Sequence, residues 1–92
     1  MEITKAFETI KDIEKKIENA EWHIEYHKNY SKLYKHKYSV ADKGDISYCR
    51  AMISLAEEHS QQFAEHRSQL IIEERNLRVA KLRLKKYFEE EL

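Results

Sequence analysis

Ninety-two residues, 41% of them hydrophobic and 37% charged, with one Gly and no Pro, limit the chain to a single domain and favour long helices over strands or disorder. Seventeen bases balance seventeen acids, which excludes a global field that would draw nucleic acid or an anionic membrane and leaves such partners only local patches. The lone Cys49 excludes an internal disulfide, and no apolar run is long enough for a secretion signal or a membrane span, so a soluble, cytoplasmic, all-α protein is expected.

From the start of the chain, apolar residues recur at alternating steps of three and four: Ile3, Ala6, Ile10, Ile13, Ile17, Ala20 and Ile24. At about 100° per residue this is a coiled-coil seam on one helix face, with Glu8, Lys11, Lys15 and Glu18 opposite it. Thr4 is the expected cap at the start, although Phe7 stands where a capping box would carry an acid. Beyond Ile24 the seam is expected to continue at Lys28, Ser31 and Lys35, while Trp22, Tyr26, Tyr30 and Leu33 gather on the far side. This predicts a switch of apolar face, met either by a bend or unwinding near Asn29 or by a second surface that covers the displaced rings. Trp22, Tyr26, Tyr30, Tyr34 and Tyr38 follow at intervals of four. Each step turns about 40° beyond a full circle, so this aromatic ladder starts opposite the seam and rejoins it toward its end.

Ser39 to Asp45 is the one convincing break. It holds the only Gly and two Asp residues, with Gly44 expected to end the first helix in a left-handed conformation and Asp45 or Ser47 to cap the second. The second helix carries its own seam of Cys49, Met52, Ala56, His59, Phe63, His66, Leu70, Leu77, Ala80, Leu84 and Tyr87, interrupted by Glu73. A further stripe of Ile71, Ile72, Val79 and Leu82 makes its last third apolar on two faces.

Charge distribution tests how the helices pair. Residues 1–21 carry four bases and six acids, 22–43 five and two, 44–66 one and four, and 67–92 seven and five. Folding back about Gly44 sets negative against positive in both halves. The predicted architecture is therefore a long antiparallel, coiled-coil-like hairpin spanning 1–92, with helices over about 3–40 and 46–90 and a turn over 41–45. Two helices of this length cover one stripe each, so the leftover faces predict a four-helix bundle or higher oligomer.

Candidate chemistry is sparse. Lys28, Lys32, Lys35 and Lys37 among the aromatic rings suggest a surface that stacks bases and neutralises phosphates. The competing interpretation, which fits zero net charge better, makes Trp22, Tyr26, Tyr30, Leu33 and Tyr34, with Ile71, Ile72, Val79 and Leu82, a partner or self-interface. His23 and His27 are spaced four apart, a metal-ligand spacing, and hairpin register brings them near His59 and His66. No Glu stands three residues before any His, so no metal or cofactor is expected, and the histidines read as a polar layer that fixes register and loosens in acid. The basic stretch Leu77–Phe88 reads as a solvated face, with no membrane partner expected.

No nucleophile context or Gly-rich phosphate loop is present in the sequence, which argues against an enzyme. The expected function is protein binding, as an adaptor or inhibitor that masks a surface and also self-associates, most simply as a dimer. The alternative is a nucleic-acid or nucleotide-binding bundle.

Overall fold

A computed structural model describes residues 2–91. It consists of two helices, α1 over Glu2–Val40 and α2 over Ile46–Glu91, with no strand among the described residues. They pack as an extended antiparallel hairpin measuring 73 × 15 × 14 Å. Cross-helix partners fix the direction: His23 meets His66, His27 meets His59, and Ser31 meets Ala56 and Ser60.

The core is the pair of heptad seams. Ile10, Ile13 and Ala20 of α1 and Cys49, Met52 and Ala56 of α2 are its buried apolar members. Each buried Ile or Met contributes about 1.5–3 kcal/mol of transfer free energy. Ala20 and Ala56 are the most completely enclosed, 3% and 5% exposed, because a methyl side chain lets two helices approach closely. No large side chain among the described residues is fully buried, since each helix has only one neighbour to cover it.

Three expectations are corrected. First, α1 does not unwind at Asn29, and its buried face does not switch sides: helix continues unbroken to Val40. Counting three from Ile24 rather than four puts His27 on the seam, followed by Ser31, Tyr34 and Tyr38, and all four are buried or half-buried while Lys28 and Lys35 are exposed. The seam changes chemistry, from aliphatic to imidazole, hydroxyl and phenol. Second, Thr4 lies inside α1, which is already helical at Glu2, so it is not a cap.

Third, Gly44 does not adopt a positive φ. The turn is closed by Asp42, whose carbonyl accepts from the Asp45 amide at 3.0 Å and whose Oδ1 accepts from the Gly44 amide at 2.9 Å. Asp45 then caps α2, with Oδ1 accepting from the Tyr48 amide at 3.1 Å. An added Cβ at Gly44 would lie 3.2 Å from Asp42 Oδ1, the end of a movable side chain. Gly44→Ala is therefore expected to change stability by less than about 1 kcal/mol, the slight crowding offset by lost freedom in the unfolded chain. A larger loss in chemical denaturation would show that the glycine is conformationally required.

Candidate functional site

Two features distinguish the middle of the hairpin. One is a layer of imidazoles between the helices; the other is a row of aromatic rings on the outside of α1, directly beside it.

The imidazole layer follows from seam positions. His27, at the α1 position after Ile24, faces His59 of α2, and their Nδ1 atoms are 2.8 Å apart, one ring donating and the other accepting. His23 lies one turn earlier on α1. His66 of α2 stacks on it at 4.5 Å with planes 8° apart, and on His27 at 5.5 Å and 9°. One ring nitrogen each from His23, His27 and His66 falls within 4.8 Å of the others. All four residues are half-buried. A turn further along, Ser31 Oγ and Ser60 Oγ share a 2.7 Å hydrogen bond, and Ser31 Oγ also lies 3.3 Å from the Ala56 carbonyl as donor. No buried side-chain nitrogen or oxygen among the described residues lacks a partner. A layer of this kind costs stability relative to aliphatic packing but penalises slipped registers, which would strand the same groups without partners.

Desolvation lowers the pKa of His27 below its ordinary value, and the neighbouring His59, His66 and His23 lower it further. A group that resists protonation in the fold takes up a proton more readily once unfolded. Stability is therefore full above the ordinary imidazole value of 6.5 and is lost as pH falls below it, until the folded-state value is also passed. In chelator-containing buffer the melting temperature is expected to drop between pH 7 and 5, and His27→Leu is expected to flatten that dependence. An unchanged slope in the variant would assign the acid response to other groups.

The aromatic row starts on the outside and winds inward. Trp22, 60% exposed, stacks on Tyr26 at 5.2 Å and 18°; Tyr26 meets Tyr30 at 4.7 Å and Tyr30 meets Tyr34 at 6.2 Å. Tyr30 and Tyr34 then lie against His59 at 5.3 and 5.7 Å, which joins the row to the imidazole layer. Leu33 is exposed beside them. Tyr38 takes the Lys43 ammonium over its ring at 4.3 Å.

Elsewhere, Ile71, Ile72, Val79 and Leu82 are all exposed on α2, Ile71 the most at 65%. Of the four lysines considered for anion contact, Lys28, Lys32 and Lys35 are exposed and Lys37 is half-buried. Lys37 Nζ lies 5.5 Å from the centre of the Tyr34 ring. Lys28 and Lys35 follow Tyr26 and Leu33 by two residues and hence stand about 200° round the helix from them. Lys35 borders a shallow groove with Met52 and Glu57. Lys28 and Lys35 therefore stand off the face of the rings, whereas Lys37 shares it.

Sequence reasoning missed one member of the site and the partner of another. His27 occupies the seam position expected of Lys28, and Ser31, an expected seam residue, finds its partner in Ser60. A strict three-four count through Ile24 finds the first; the Ser31–Ser60 pairing follows from the same register.

No protein-family model matches the chain, and neither a curated protein nor a solved structure matches it.

Proposed function

We propose that this protein is a non-enzymatic binding hairpin that acts by covering a surface of another protein, as an adaptor or inhibitor, and that it self-associates through the same outward apolar faces. The observation that carries this reading is the row Trp22, Tyr26, Tyr30 and Leu33, which the hairpin leaves exposed. Contiguous apolar patches larger than about a few hundred Å² mark contact sites on soluble proteins, and Trp and Tyr are enriched among the residues that dominate binding energy. Trp22 is already stacked on Tyr26, and Tyr26 packs on Tyr30 at a tilt, so a partner would have less freedom to freeze out, which lowers the entropic cost of association.

The exposed stripe Ile71, Ile72, Val79 and Leu82 supplies a second apolar face on the other helix. A rod with apolar surface on both helices is suited to side-by-side pairing into a four-helix assembly. Base stacking is less well supported: Trp22 and Tyr26 cover one another's faces, and Lys28 and Lys35 stand on another side of the helix.

The test is sedimentation at micromolar concentration together with co-purification from the native cell. Self-association, or a stoichiometric protein partner that protects Trp22 from fluorescence quenching, is expected. A monomer at all concentrations that recovers no partner overturns the reading. Binding of structured or single-stranded RNA, weakening steeply with salt, would replace it with a nucleic-acid function.

A further inference from the structure

We propose that His23, His27 and His66 form a binding site for a divalent transition metal of the zinc class, clamping α1 to α2 at the middle of the hairpin. The three imidazoles come from both helices, and one nitrogen from each already lies within 4.8 Å of the other two. On zinc, with Zn–N bonds of about 2.0–2.1 Å, tetrahedral nitrogen ligands lie about 3.3 Å apart. The remaining contraction is within reach of side-chain rotation, because all three residues are half-buried. Metal binding would turn the rings from their present stacked arrangement, at 8° to 17° between planes, so that their nitrogens point to a common centre.

His59 completes the arrangement as a positioning residue. Its Nδ1 is 2.8 Å from Nδ1 of His27. When His27 donates that hydrogen bond, its Nδ1 carries the proton and its Nε2 lone pair is free for the ion. Holding a ligating imidazole in one tautomer through its other nitrogen is the common supporting interaction at histidine metal sites. The donor set contains no oxygen, which selects borderline transition ions over Mg²⁺ or Ca²⁺. Three imidazoles leave a fourth position open to solvent. The absence of any Glu-x-x-His spacing argues against a carboxylate-bridged dimetal centre and has no bearing on a site built from imidazoles alone.

The experiment is a calorimetric titration of the full chain with zinc chloride in a non-coordinating buffer, paired with thermal melting followed by circular dichroism. One ion per chain is expected, with a rise in melting temperature of about 10 °C when zinc is in large excess over its dissociation constant, reversed by chelator. His23→Ala, on the edge of the seam, and His66→Leu, which keeps the seam apolar, are each expected to weaken zinc binding at least about tenfold while remaining helical. His36→Ala, outside the layer, is expected to bind as the parent does. Three results overturn the proposal. One is a melting temperature indifferent to zinc. Another is parent-like affinity in His66→Leu, which would leave only a pair of ligands on α1. The third is less than one ion per chain with zinc-driven association, which would put the ligands between copies.

Discussion

Changing Trp22, Tyr26 and Tyr30 together to serine is expected to abolish self-association while leaving the hairpin helical. The three rings are exposed on α1 and contribute little to the contact with α2, except where Tyr26 and Tyr30 lie against His59 at 6.1 and 5.3 Å. Removing them should therefore leave the Ile10, Ile13, Ala20, Met52 and Ala56 seam in place. Truncation of a central aromatic anchor costs about 2–4 kcal/mol of binding free energy, so losing three should raise a dimer dissociation constant by several orders of magnitude. Sedimentation velocity with circular dichroism separates the outcomes. A helical monomer would identify this face as the self-interface. An intact oligomer that no longer retains its protein partner would instead make the face a recognition surface and put the self-contact on Ile71, Ile72, Val79 and Leu82. Global unfolding would mean that the rings are structural, contrary to their exposure.

The hairpin was legible because its signals are redundant. The aliphatic seam of α1, the seam of α2, the composition of residues 41–45 and the alternation of charge by quarters all lead to the same antiparallel pairing. The central third of α1 was harder to interpret because hydrophobicity stops being a guide there. His27 and Ser31 are polar by type yet lie on the buried side, while Trp22 and Leu33 are apolar by type yet lie outside. A polar seam residue is indistinguishable from a surface residue until its partner is known, and the partners, His59 and Ser60, lie about thirty positions away on the other helix. Heptad spacing carried through the polar segment recovers the correct face; residue type alone inverts it. The turn misled for a different reason. Gly commonly marks a left-handed helix end, but here Asp42 closes the reversal by accepting two backbone hydrogen bonds, and the glycine keeps an ordinary φ.

Glu73 is the other place where a polar residue occupies the seam, and there the consequence for stability is larger. It is only 5% exposed, at the heptad position between Leu70 and Leu77, in a region bordered by Ile13 and Lys16 of α1. Its Oε1 accepts a 2.8 Å hydrogen bond from Gln69 Nε2 one turn earlier on the same helix. That bond satisfies the carboxylate but does not tie the two helices together. A buried carboxyl on the seam gives up its hydration for a single hydrogen bond, whereas a buried leucine contributes about 1.5–3 kcal/mol. Glu73→Leu is therefore expected to stabilise the hairpin by about 1–3 kcal/mol, a rise in melting temperature on the order of 5–15 °C for a domain of this size. Glu73→Ala, which removes the charge without filling the seam, should gain less than the leucine variant. Equal melting temperatures for the two would show that charge removal, and not packing, is responsible. A lower melting temperature for Glu73→Leu would mean that the carboxylate is held by a cation across the interface, for which Lys16 of α1, on the lining of the same groove, is the candidate. With Glu73 replaced, the His27–His59 and Ser31–Ser60 contacts would remain as the polar markers of register. If they are sufficient, the stabilised variant should keep the same helix pairing and the same apolar faces toward solvent, and should still self-associate.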